Sequence, residues 1–225
     1  MRHLLLPLLA LAVVPVIAQS QRPLRVELPD SRFWQDRSYQ EDFLETYVPL
    51  REAEPKIKED EVPLFQELLE LIRVQPAAAA SRLQNAITPN SSAAMLYVLG
   101  NLYLQAGDFS NATRYYGQAI EKFPEYRRAH KNMGLVHFQQ QQWDDAVEHI
   151  TRAIQLGDRD ASNFGRLAYT YLQRNDDVAA ESAYRNAIIM EPDNRDWKLG
   201  LAQTLMSQNR DAEVIAMMGP ILAAD

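Results

Sequence analysis

The chain has 225 residues, 47% of them apolar, and a net charge of −7. That is enough apolar material to bury a core, and an acidic balance of this size disfavours polyphosphate and anionic-lipid partners, so no nucleic-acid partner is expected. With no cysteine at all, disulfides, thiolate catalysis and Cys-ligated zinc are excluded and stability must come from packing.

Residues 1–18, MRHLLLPLLALAVVPVIA, join a basic start at Arg2 and His3 to an apolar run that ends in the small-residue pattern of Val16 and Ala18 before Gln19. This pattern predicts a signal peptide cleaved near Ala18, and hence a periplasmic protein. The competing reading, a membrane anchor, is disfavoured because the run is shorter than the ~20 residues that span a bilayer and carries Pro7 and Pro15. No later segment is comparably apolar, so no stable membrane insertion is expected after cleavage.

Residues 19–59 form an N-terminal arm. Phe33 and Trp34 precede a Ser38-Tyr39-Gln40-Glu41 pattern that opens a short helix through Phe43, Leu44 and Tyr47, followed by the charged stretch REAEPKIKEDE. The cluster of aromatics favours docking of this arm over a free linker.

From residue 60 onward the chain repeats. Ala112, Ala146 and Ala180 stand 34 apart, as do Ala119, Ala153 and Ala187; Gly100, Gly134 and Ala168; and Leu99, Met133, Leu167 and Leu201. A period of this size marks a solenoid of helix pairs. Leu99, Gly100 and Tyr103 share one face of a first helix, and Ala112, Tyr116 and Ala119 share one face of a second, two small residues bracketing a large knob. Gly107-Asp108 supplies the turn between them and Pro124 stops the second helix. Period-two alternation is nowhere sustained, so strands are not expected.

These residues resemble the tetratricopeptide repeat (TPR). With units starting at Ala93, Arg127, Ala161 and Arg195, the family's small residue at position 8 falls on Gly100, Gly134, Ala168 and Ala202, and its position 20 on Ala112, Ala146 and Ala180. The resemblance implies an all-α, right-handed TPR solenoid of antiparallel helix pairs. The units read as 93–126, 127–160, 161–194 and a partial fourth at 195–225, whose Val214 and Met218 depart from the pattern. Upstream, PLFQELLELIRV with Pro63 near its start, then Ala79, Leu83 and Ala86 at helix-B spacing, read as a degenerate capping repeat over 60–92.

No chemistry-bearing motif stands out: serine elbows, phosphate loops and the HExxH helix are all absent, so no enzyme, catalytic residue or cofactor is expected. His130 and His137 lie seven apart and could face a metal together. They occupy repeat positions 4 and 11, where the family places core aromatics, and the reading is therefore packing, with no metal site.

In the family the concave face is built by helix A positions 2, 5, 6, 9, 12 and 13. Here these supply Tyr97 and Asn101, then Arg128, Lys131, Asn132 and Phe138, then Arg166 and Tyr169, a basic and aromatic set suited to a protein or peptide partner. TPR modules that clamp a C-terminal carboxylate use Lys, Asn, Asn, Lys and Arg. The matching positions here are Tyr97, Asn101, Asn132, Ser162 and Arg166, so both lysines are missing.

The sequence thus predicts a non-catalytic interaction scaffold. Residues 28–60 and PDNRDWKLGLAQ are similar to a family of exported TPR proteins associated with TonB energy-transducing systems, which implies an accessory role in envelope transport. The alternative is a self-associating module: Val214, Ile215, Met217, Met218, Ile221 and Leu222 exceed one inward stripe, predicting an apolar patch covered by a second copy, a partner or further repeats. Gly219-Pro220 should kink or end the final helix.

Overall fold

The structure, a computed structural model, describes residues 54–222, with side chains through Gly219. The signal peptide read at 1–18, the aromatic cluster of the arm and its short helix lie outside the described residues. Ten α-helices and no strand occur among the described residues. The described residues fall into two compact units, 54–158 and 159–222.

In the first unit a 3-10 turn, Glu59–Glu61, leads into α1 (Val62–Val74) and α2 (Pro76–Ala86), then α3 (Ala93–Gln105), α4 (Phe109–Lys122), α5 (Arg127–Gln139) and α6 (Trp143–Gln155). Helices α1 and α2 each carry proline in the first turn, where its missing N–H costs nothing. The second unit holds α7 (Ala161–Gln173), α8 (Asp177–Met190), α9 (Arg195–Ser207) and α10 (Asp211–Leu222). Helices therefore begin at Ala93, Arg127, Ala161 and Arg195, one period apart.

Short polar side chains start several of these helices. Ser92, Asp108, Asp160 and Asp176 each accept from the backbone N–H three residues on, and Asn194 accepts from those of Asp196 and Trp197. Between the helices of each of the four pairs from α3 to α10 one residue adopts a left-handed backbone: Gly107 at φ 74°, Gln141 at 58°, Asn175 at 58° and Asn209 at 59°. That conformation reverses the chain and closes the last turn of the first helix. Asp144 and Asp145 occupy the first turn of α6, and Asp176 caps α8, where carboxylates complement the helix dipole.

The core follows the repeat. Ala112, Ala119, Ala146, Ala153, Ala180 and Ala187 are all fully buried, as are Leu99, Leu167 and Tyr116. A Cβ placed on Gly100 would sit 2.6 Å from the Tyr116 ring, and one on Gly134 would meet Ile150 Cγ1 at 2.7 Å and the Ile150 backbone nitrogen at 3.0 Å. Backbone and knob touch there, which is why the small residue recurs. In the second unit the Gly200 and Gly165 positions receive Tyr184 and Trp197 in the same way.

The C-terminal expectation is corrected in two respects. Helix α10 runs through Gly219 and Pro220 to Leu222, the last described residue, instead of ending at the Gly-Pro pair. Of the apolar set, Ile215 is 71% exposed, while Val214, Met217 and Met218 are half-buried. The exposed patch is narrower than the composition suggested, and the side chains of Ile221 and Leu222 lie outside the described residues.

Candidate binding face

In the first unit, α3 and α5 bring together most of the groove residues that the repeat positions picked out. Tyr97, Arg127, Arg128, Lys131, Asn132 and Asp158 line a cleft of about 310 Å³. The Tyr97 ring packs against Tyr126 at 4.9 Å and Tyr116 at 5.9 Å between centroids, and the Arg128 guanidinium lies 5.6 Å above it. That geometry is within cation–π range. Lys131 Nζ pairs with Asp158 at 3.1 Å, so this cation is held in place at the rim.

Behind the cleft runs a polar network. The Asn132 amide donates to Asn101 Oδ1 at 2.8 Å and to the Tyr97 hydroxyl at 3.1 Å, while the Tyr116 hydroxyl donates to the same Asn101 oxygen at 2.7 Å. Burial pushes the Tyr116 hydroxyl well above the ordinary phenol range, although its contact with Asn132 pulls the other way. It therefore serves as a neutral donor at any physiological pH. The two asparagines of the clamp comparison thus spend polar groups on one another and on tyrosines, which positions Tyr97 from below. Phe138 is not part of this cleft: it stacks edge-on with Trp143 at 5.9 Å, because the neighbouring indole at the start of α6 offers it a packing partner.

In the second unit, Arg166 reaches back along its own helix to Asn163 Oδ1 at 3.2 Å and Ser162 Oγ at 3.4 Å. Tyr169 is 42% exposed. On α9, seven residues apart, Leu199 and Met206 are exposed by 54% and 59%. The sequence reading did not single these two out, although repeat positions 5 and 12 could have found them.

The first unit also holds participants that sequence reasoning missed. Glu54 Oε2 accepts from Arg128 Nε at 3.1 Å, and Glu54 Oε1 lies 3.5 Å from Arg127 Nε. Nothing in the repeat predicts a partner 74 residues away. The Tyr116 hydroxyl was likewise hidden, since position 24 was read only as an apolar knob.

His130 and His137 are buried in α5, and His149 of α6 joins them. His130 Nε2 lies 3.0 Å from the Pro124 carbonyl, and its Nδ1 lies 3.0 Å from His149 Nδ1. A carbonyl can only accept, so His130 carries its proton on Nε2 and His149 Nδ1–H donates to His130 Nδ1. His137 stacks on His149 at 5.5 Å. No group of three or more His, Cys, Asp or Glu side chains suited to a metal occurs among the described residues.

Paired helices with close small-residue crossings, and aromatic and cationic side chains on the first helices within each unit, define a repeat scaffold for protein binding. The tetratricopeptide-repeat family profile matches residues 97–162 and 166–214, and the chain belongs to that family. It is 26% identical over 103 residues to the Hsp70-Hsp90 organizing protein of Triticum aestivum, covering 46% of this chain and 18% of that one. It is 28% identical over 99 residues to serine/threonine-protein phosphatase 5 of Rattus norvegicus, covering 44% and 20%. The matched segment is thus about a fifth of those relatives' length.

Among solved structures, MamA of Desulfovibrio magneticus RS-1 superposes with a TM-score of 0.65 at 15% identity, over 75% of this chain and 96% of that one. MamA MSR-1 gives 0.62 at 15% identity, over 72% and 94%. At that identity the likeness concerns the fold alone.

Proposed function

We propose that this protein is an exported, non-catalytic adaptor that captures a partner protein on the faces that α3 and α5 present in the first unit and α7 and α9 present in the second. The observation that carries this reading is the cleft of Tyr97, Arg128 and Asn132: an aromatic ring stacked under an arginine and fixed by a buried network. A pre-formed surface of this kind spends little ordering entropy on binding, and Tyr and Arg are frequent interface anchors. Exposed Tyr169, Leu199 and Met206 add apolar contact area of the same character in the second unit. The leader pattern of residues 1–18 supports a periplasmic location, and the resemblance of the arm to TonB-associated TPR proteins supports an accessory role in envelope transport. The organizing protein and phosphatase among the relatives are consistent with protein partners.

A photo-crosslinking residue placed at Tyr169 in cells should trap a partner, whereas one at Arg185, exposed on α8, should not. Equal trapping from both positions would contradict the assignment of the binding face.

A further inference from the structure

The cationic end of the cleft is already occupied, by the chain itself. The segment 54–61 runs up to α1 as a strap held by polar contacts. At its C-terminal end Glu61 is buried, and its carboxylate accepts from the backbone N–H of Ser92 at 2.7 Å and of Lys58 at 3.0 Å. Burial alone would raise the Glu61 pKa, but these bonds, a further Ser92 contact and the charge of Lys58 hold it below the usual carboxylate range. In the middle, Lys58 Nζ donates to the Asn90 carbonyl. At its N-terminal end Glu54, itself 21% exposed, sits on Arg127 and Arg128.

Between those anchors the strap is poorly packed. Pro55 and Lys58 border an open hollow of about 410 Å³ together with Pro89, Ser92 and Phe123, and Ile57 is 39% exposed. Glu61 is the firm anchor and Lys58 is tied to it, so residues 54–57 can lift away while those contacts stay made.

We infer that Arg127, Arg128 and Tyr97 form a carboxylate-reading site, that Glu54 fills it in cis, and that the partner displaces Glu54 with an acidic side chain of its own. The inference rests on the binding face proposed above and adds the chemistry of the segment that face selects. Two arginines converging on one carboxylate, above an aromatic ring, recognise an acid and not an amide. On a chain of net charge −7, such a local cationic spot steers an acidic segment to one place. The in-cis pair is only partly buried, so it weakens an incoming acid by a modest factor and still lets it compete.

Binding of a fluorescein-labelled Gly-Glu-Gly-Glu-Gly peptide, with its glutamine counterpart as control, tests this by anisotropy on the purified protein. Glu54→Gln should bind the acidic peptide about 3- to 10-fold more tightly than the wild type, and adding Arg128→Gln should abolish the gain. Equal or weaker binding by Glu54→Gln, or no binding of the peptide by any variant, would overturn the inference. Failure here is separable from failure of the binding face. If Tyr169 crosslinks a partner and Arg128→Glu with Arg166→Glu blocks its capture while Glu54→Gln leaves capture unchanged, the face stands and in-cis competition falls. If neither variant alters capture, the face itself is wrong.

Discussion

His149 shows how much a single side chain can add beyond its place in a repeat. Burial, then the neighbouring His130 and His137, push its pKa down to about 4; burial also lowers that of His130. An unfolded histidine titrates near 6.5, so between about pH 6.5 and 4 the unfolded chain takes up a proton that folded His149 refuses. Stability contributed by neutral His149 is therefore complete above about pH 6.5 and is lost as pH falls toward 4, by on the order of 2–3 kcal/mol. Urea titrations at pH 7.5 and 4.5 should show this loss, and His149→Gln should flatten it; an unchanged pH slope in that variant would contradict the assignment. The sequence made His130 and His137 legible as ring-sized core fillers, yet not their coupling to His149, because only the packing of α5 on α6 brings the third ring to them. At Gly134 the lesson is steric. A methyl there must push on the Ile150 backbone as well as its side chain, so Gly134→Ala should destabilise by about 1–3 kcal/mol in thermal unfolding.

At the scale of helices, the 34-residue period was enough to locate the pairs, since it fixes which residue must be small and which face must be buried. Ala153 is fully buried, and Ala153→Leu should overpack its crossing and cost about 1–3 kcal/mol; a wild-type melting curve would mean the register is wrong. The turns carry a finer signal. Of the five described residues with positive φ only Gln141 is neither glycine nor asparagine, the residues that tolerate that conformation best. Gln141→Gly should therefore stabilise by about 0.5–1 kcal/mol, measurable as a raised denaturant midpoint with unchanged slope. What the period could not reveal is what falls outside it. Residues 54–59 of the strap precede the repeats, read only as part of a charged stretch, and acquire their meaning when folding carries Glu54 to Arg128.

For the whole molecule, the fold was legible while the function was legible only as a class. Repeat positions selected Tyr97, Asn101, Arg128, Lys131 and Asn132 correctly as neighbours, because they follow from helix periodicity. They did not show that the asparagines are committed to an internal network, that Phe138 turns to Trp143, or that the arginines have an acid upon them. Those facts depend on side-chain competition within three dimensions, to which a linear pattern is blind. The central claim is that capture runs through the faces bearing Arg128 in the first unit and Arg166 in the second, and the most direct measurement is affinity capture from cells with the Arg128→Glu, Arg166→Glu variant. Arg128 is exposed, where a charge contributes little to folding, and half-buried Arg166 bonds within its own helix, so helicity should match the wild type and melting should change little beyond the loss of the Arg166–Asn163 contact, while partner recovery falls about tenfold or more. A folded double variant that recovers its partner as well as the wild type would contradict the account.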